Sequence, residues 1–299
     1  MLGHPIAHSL SPVLHLAAYR ALGLDGWQYG RQDVQESELA GVIARLDHHW
    51  VGLSLTMPLK HAIIPMLDHV EPLAEVVGAV NTVLVQGRPT RPGEVARAGR
   101  PVLVGANTDV YGIVAALQEA VGAVGRPLPT RPRAVVLGAG ATAASAFAAL
   151  GQLGCTTPTV HLRSLGRSGA LIRAAHRMGV EPTYLALEDA VESMLDADIV
   201  ISTLPAHGAD AIAAGLASHP GASLGALLDV VYEPRPTALM VAWAHGGGAV
   251  VGGERMLLHQ AAEQVRLMTG HPAPLAAMDE ALGAALAGHR THPEERSER

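Results

Sequence analysis

Apolar and polar positions change their period along the chain, and the change divides it. From Arg133 onward, short β-branched and aliphatic runs alternate with Ala-rich stretches whose apolar residues recur at helical spacing. Residues 134–137, 159–162, 198–203 and 227–231 read as strands, and 141–153 and 167–178 as helices. This βαβαβ rhythm predicts a parallel sheet covered by helices. The N-terminal part also alternates, with a strand at 27–34, a helix at 36–46, a strand at 51–56 and helices beyond. A Pro-, Gly- and Arg-rich stretch at 87–101 separates two apolar runs and reads as a long hairpin-like loop. Residues 125–133 read as a linker, and the charged end from 289 as a frayed tail. The fold class is α/β: an N-terminal α/β domain and a Rossmann-like domain, with a cleft between them.

Composition narrows the partners. Apolar residues make up 49% and charged residues 16%, enough for a sizeable core, but with one Phe (Phe147) it must be built from Ala, Val, Leu and Ile. A net charge of −6 with scattered arginines excludes a broad cationic face for nucleic acid. The single cysteine, Cys155, excludes an internal disulfide, suits a reducing cytoplasm and reads as a small buried hydrophobe. No apolar run approaches membrane length and no signal pattern opens the chain, so a soluble, intracellular protein without a membrane partner is expected. Of the 16 histidines, His4, His8, His15, His48 and His49 lack carboxylates at ligand spacing; they read mostly as surface and loop residues, with no metal site. The cations are more telling. Of 21 basic side chains 20 are Arg, and the one Lys is Lys60. Lysine can give up its proton where arginine cannot, so Lys60 is a candidate for chemistry or a chance survivor of an Arg-rich composition.

The clearest nucleotide signal runs from Val135 to Ala144. A strand leads into Gly138-Ala139-Gly140-Ala141 and then an Ala-rich helix, with Ala143 at the third position of the glycine fingerprint. Gly138 permits the tight turn and Gly140 lets a pyrophosphate approach the helix N-terminus. The next strand ends in Leu162-Arg163-Ser164-Leu165-Gly166-Arg167, with two guanidinium groups where an NAD enzyme would carry a carboxylate. That favours the 2′-phosphate of NADP(H). Elsewhere Ser9 and Ser11 flank a helix start at Pro12, where they would cradle a carboxylate or cap the helix.

Successive blocks then resemble one family. Gly3-His4-Pro5-Ile6-Ala7-His8-Ser9-Leu10-Ser11-Pro12, Ser54-Leu55-Thr56-Met57-Pro58-Leu59-Lys60, Ala79-Val80-Asn81-Thr82 and Asn107-Thr108-Asp109 look like the ordered signatures of the shikimate dehydrogenases. Tyr232-Glu233-Pro234-Arg235-Pro236-Thr237 and the run from Gly252 to Ala261 resemble the last two motifs, so the likeness spans about residues 3 to 285. The resemblance implies NADP-dependent interconversion of 3-dehydroshikimate and shikimate. It implies that Lys60 and Asp109 carry proton transfer, the ammonium serving the oxygen that gains charge. The ordinary reading of Asp109 is a cap for a helix over 110–120. By the same likeness Ser9, Ser11 and Tyr232 would hold the substrate carboxylate, and Thr56, Asn81, Asp109 and Gln260 would hydrogen-bond its ring hydroxyls or support Lys60. Gly138, Ala139, Gly140, Ala141, Arg163, Ser164, Arg167, Gly253 and Met256 would meet the cofactor.

The chain departs from the family in three places: a short opening strand, Ser54 where Asn is frequent, and a shortened ribose segment. The expected layout is a substrate domain of 1–109 and 253–299 around an NADP domain of 110–252, as a monomer or homodimer. The alternatives are a quinate or aminoshikimate dehydrogenase and a catalytically silent NADP-binding sensor; the retained Lys60, Asn81 and Asp109 argue against the sensor.

Overall fold

A computed structural model describes residues 1–87, 100–124, 127–219 and 224–290. Most of the predicted 87–101 loop, the first two residues of the 125–133 linker and the tail from 291 lie outside the described residues. In chain order the elements are β1 (Leu2–Gly3), α1 (Ser11–Ala21), β2 (Gln32–Asp33), α2 (Glu36–Ile43), β3 (Gly52–Ser54), α3 (Leu59–Ala62), β4 (His69–Val70), α4 (Pro72–Val77), β5 (Thr82–Gln86) and β6 (Val102–Ala106). There follow α5 (Asp109–Val124), β7 (Ala134–Leu137), α6 (Ala141–Gln152), β8 (Thr159–Leu162), α7 (Gly169–Met178), β9 (Thr183–Ala186), α8 (Ala190–Leu195), β10 (Ile199–Ser202) and α9 (Asp210–Leu216). The last are β11 (Ala226–Asp229), α10 (Ala238–His245), β12 (Ala249–Gly252), α11 (Gly253–Thr269) and α12 (Leu275–Arg290).

The chain forms two compact units, one of Met1–Glu71, Val80–Thr108 and the chain from Ala261, the other of Pro72–Ala79 and Asp109–Gln260. Where the sequence reading placed two crossings, at 109 and 253, the chain crosses four times. The extra excursion is α4, whose Val77, together with Ala79 just beyond it, is buried in the second unit's core. The later return falls inside α11, because Met256 is also spent on that core.

The first unit holds a four-stranded sheet in the order β3-β5-β6-β4. The two apolar runs flanking the 87–101 loop pair antiparallel, from Thr82 opposite Ala106 to Gln86 opposite Val102, as a hairpin requires. The strand expected at 27–34 shrinks to Gln32–Asp33. It pairs only with the two residues of β1, and the ladder stops where the Met1 ammonium donates to the Gly30 carbonyl at 2.9 Å.

The second unit is a six-stranded parallel sheet, β12-β11-β10-β7-β8-β9. Its central strands are buried on both faces, which is why they read as unbroken apolar runs. In β7, Ala134 and Val136 join a cluster with Phe147, Leu150 and Leu117, while Val135 and Leu137 join one with Met194, Leu216 and Trp243. Cys155 is buried in the first of these clusters. The helix expected from 167 starts at Gly169; Leu165–Arg167 is a 3-10 turn, closed by the Ser168 hydroxyl donating to the Leu165 carbonyl at 2.6 Å. No helix among the described residues is long and apolar enough to cross a membrane.

Candidate active site

In the first unit the start of α1 organises the polar groups. Pro12 occupies its first turn, and the capping residue is Leu10, with no side-chain cap. Ser9 Oγ accepts from the Ser11 backbone N–H at 3.3 Å. The Ser11 hydroxyl is closed from solvent and faces that of Tyr29 without completing a hydrogen bond in good geometry. Four residues on, His15 shares the buried face of α1 with Leu14 and Ala18. It therefore departs from the surface position expected of it, whereas His4, His8, His48 and His49 are exposed. His15 stacks on Tyr29 with ring centroids 3.9 Å apart. Its Nδ1 lies 2.9 Å from the Ser11 carbonyl; a carbonyl only accepts, so Nδ1 carries a proton.

Burial drives the pKa of His15 from 6.5 down to about 4, outweighing the hydrogen bond to Ser11. The unfolded chain takes up this proton near pH 6.5 and the folded chain only near 4, so stability from neutral His15 is complete above 6.5 and lost as pH falls toward 4. At about 1.4 kcal/mol per pH unit of displacement, the loss is roughly 3 kcal/mol. Denaturant unfolding at pH 7 and at pH 4.5 should show a smaller loss in His15→Gln than in wild type; equal losses would contradict the assignment.

Thr56 and Lys60 lie either side of the turn that starts α3, both half-buried. The Thr56 carbonyl accepts from Leu59 N at 2.8 Å, and buried Leu59 and Ile63 hold the short helix down. The Lys60 carbonyl accepts from Val80 N at 2.9 Å, which ties this segment to the Asn81 loop. Asn81 is 1% exposed and sits in a network with Thr82, Thr108, Gln264, Ser54 and Tyr29. Gln264, Tyr29 and His15 were not readable as site residues. Gln264 carries one sequence signal, its spacing of four from Gln260 on a helix.

In the second unit Asp109 opens α5 and is buried. The glycine turn has the geometry a dinucleotide needs. Gly138 has φ +107°, and a Cβ there would strike Thr203 Oγ1, which is held by donating to the Leu137 carbonyl at 2.8 Å. A Cβ at Gly140, the capping residue of α6, would meet nothing within 4 Å, so the approach to the helix N-terminus is open. A cavity of about 270 Å³ is lined by Gly138, Ala139 and Gly140, by Arg163 and Ser164 after β8, and by Thr203–Pro205. Ala141 starts α6; the Arg167 side chain lies outside the described residues.

The Tyr232–Thr237 loop is tied down through its second half. Thr237 caps α10, accepting from Met240 N at 3.2 Å and donating to Asp229 Oδ2 at 2.7 Å, and Arg235 pairs with Glu254 at 2.9 Å. Burial, aided by Glu233, pushes the Tyr232 phenol up to about 12. Gly253 packs its Cα against the Val230 carbonyl, leaving no room for a side chain. On α11 Met256 is buried among the core residues of the sheet, and Gln260 is 7% exposed with its amide donating to the Leu257 carbonyl at 3.2 Å. Glu119 on α5 accepts from Arg255 at 2.8 and 2.9 Å and meets His259 Nε2 at 2.8 Å, so α5 and α11 are clamped together. Arg255 is the main cause of the lowered Glu119 pKa.

Residues 1–83 match the shikimate dehydrogenase substrate binding domain, and residues 253–282 the shikimate 5′-dehydrogenase C-terminal domain. A shikimate dehydrogenase (NADP+) of Citrifermentans bemidjiense is 36% identical over 96% of this chain and 94% of its own length. The chain belongs to the shikimate dehydrogenase family. Among solved structures, the shikimate dehydrogenase of Mycobacterium tuberculosis is similar with a TM-score of 0.77 and 39% identity, covering 95% of this chain and 97% of that one. The Thermus thermophilus enzyme in complex with NADP(H) and shikimate is similar with a TM-score of 0.70 and 32% identity, over 95% and 97%. The substrate-domain match takes in Ser9, Ser11, Thr56, Lys60 and Asn81; the C-terminal match takes in Gly253, Met256, Gln260 and Gln264. The family resemblance and the α/β class read from the sequence are both borne out.

Proposed function

We propose that this chain is an NADP-dependent shikimate dehydrogenase that interconverts 3-dehydroshikimate and shikimate. The observation that carries the reading is the full-length match, through both units, to relatives named shikimate dehydrogenase (NADP+). The first unit supplies Ser9, Ser11, Thr56, Lys60 and Asn81 for the acid, and the second supplies the cofactor turn together with Asp109, Tyr232 and Gln260. The glycine turn fits a pyrophosphate, since Gly138 allows the bend and the space above Gly140 is open. Arg163, with Ser164 in the same cavity wall, suits a 2′-phosphate, and Arg167 follows in the same turn. When bound, the nicotinamide supplies or takes the hydride.

The chain's own groups bind, orient and move the proton. Lys60 Nζ gives a proton to the carbonyl oxygen as it gains charge and takes one back in the reverse direction. The Asp109 carboxylate orients that ammonium and the reacting hydroxyl. Ser9, Ser11 and Tyr232 hold the carboxylate, and Thr56, Asn81 and Gln260 the hydroxyls. Gly253 and Met256, at the start of α11, meet the cofactor. The enzyme works in the cytoplasm, as a monomer or homodimer.

Two measurements bear on this reading. Comparing kcat/KM for shikimate, quinate and aminoshikimate should rank shikimate first; a higher value for quinate would overturn the substrate. Replacing Arg163 and Arg167 by Ala should raise KM for NADP by about 10-fold or more, as for loss of a hydrogen bond to a charged group, and move KM for NAD far less. Equal effects on the two cofactors would mean that the arginines face solvent.

A further inference from the structure

The buried polar chain of the first unit has one allowed direction, and that direction decides what Asn81 can offer a ligand. Asn81 Oδ1 lies 2.8 Å from Thr108 N. A backbone N–H only donates, so the atom it meets is the amide oxygen and the orientation of the Asn81 amide follows. The same logic fixes Gln264, whose amide reaches the Asn81 carbonyl at 3.4 Å. A carbonyl only accepts, so Nε2 is the atom that faces it. Gln264 Nε2 also donates to Thr82 Oγ1 at 2.9 Å, which leaves the one Thr82 proton for Asn81 Oδ1, 2.9 Å away. On the other side Gln264 Oε1 accepts from Ser54 Oγ at 2.8 Å. With the Ser54 proton committed, Tyr29 must donate to Ser54, at 2.7 Å. The protons therefore run Tyr29, Ser54, Gln264, Thr82, Asn81, and the last four residues are each 2% exposed or less.

The two lone pairs of Asn81 Oδ1 are taken by Thr82 Oγ1 and Thr108 N, and one Nδ2 hydrogen goes to Thr108 Oγ1 at 2.9 Å, so any contact Asn81 makes with a ligand oxygen goes through Nδ2 beside that bond. The geometry points to Thr82, held in turn by Gln264, as a positioning residue that acts with Thr108 to lock the Asn81 amide, so that it offers N–H and never C=O to the substrate. The substrate oxygen that meets Asn81 then acts as an acceptor. A locked amide is pre-organised, whereas a free one would reorient with each ligand. This role rests on the shikimate dehydrogenase reading, but the lock itself does not.

The sequence makes the test simple, because the chain contains two asparagines, Asn81 and Asn107. Protein labelled with ¹⁵N in asparagine side chains shows two amide pairs, and the pair missing in Asn81→Asp belongs to Asn81. Thr82→Val keeps the volume and removes the hydroxyl. It should shift the Asn81 pair, speed its hydrogen exchange about 10-fold and raise KM for shikimate by a similar factor, with Kd for NADP unchanged, on the scale of one hydrogen bond. Thr82→Ser restores the hydroxyl and should return both signals to near wild type. Tyr29→Phe lies beyond the Gln264 anchor and should leave the Asn81 pair in place. Should Thr82→Val fail to fold, Gln264→Met, which removes the donor on Thr82's other side, carries the same expectation. An unmoved Asn81 pair in the hydroxyl-free variant, or Thr82→Ser as impaired as Thr82→Val, overturns the lock. A wild-type protein that fails to oxidise shikimate would overturn the substrate assignment instead, while the amide signal still decides the lock.

Discussion

Lys60→Ala should lower kcat by at least about 100-fold, the usual scale for loss of a positioned proton donor. Kd for NADP should stay as it is, because the glycine turn and its cavity belong to the other unit. Lys60 is the one lysine among 21 basic residues, half-buried on a short helix whose backbone is tied to Val80, so the side chain leaves from a fixed point. Lys60→Arg is the sharper variant. It keeps the charge but not a proton that can be released, so turnover should remain low. Steady-state kinetics beside a fluorescence titration of NADPH separates the two quantities. Either variant keeping more than half of the wild-type kcat would remove Lys60 from the proton-transfer role.

Ser11→Ala and Ser9→Ala come next in size. A hydroxyl donating to a carboxylate contributes about 1.5–3 kcal/mol, so each change should lower kcat/KM for shikimate by roughly 10- to 150-fold. The competing role, capping α1, can be judged on the structure. Leu10 is the capping residue and no side chain caps the helix, while Ser11 lies inside the first turn with its hydroxyl unmatched. Ser11→Ala should therefore leave the melting temperature unchanged. Ser9→Ala loses a 3.3 Å bond to Ser11 N and should cost a little stability as well. If both variants lose stability but keep wild-type kinetics, the carboxylate is held elsewhere.

The parts of the fold that were legible are those where a physical demand leaves a periodic mark. β7, β8, β10 and β11 are buried on both faces, and the glycine turn between β7 and α6 needs residues that nothing else tolerates. The strands that escaped notice are the sheet's two edges. In β9 Thr183 and Leu185 are exposed, so Thr-Tyr-Leu-Ala leaves little apolar signal, and β12 lies between glycines. The excursion of α4 into the second unit depends on Val77 and Ala79 packing with residues far along the chain, which no local pattern records.

The site was legible in the same uneven way. Lys60, Asn81 and Asp109 stand in blocks whose order carries the resemblance, whereas Tyr29 and Gln264 stand outside any block and gain meaning only from their hydrogen bonds. His15 reads as one of 16 histidines until α1 turns it onto the same face as Leu14 and Ala18. Met256 reads as a cofactor contact by resemblance, and nothing in its local spacing tells that it also packs on the second unit's core.

The central claim is that both units serve one reaction on one acid. It is tested most directly by adding shikimate to the purified protein with NADP and following nicotinamide reduction, with NADP binding measured on the same sample. The account predicts NADPH and 3-dehydroshikimate formed in equal amounts. NADP bound tightly, with no reduction on addition of shikimate, would contradict it and leave a protein that senses the cofactor without using it.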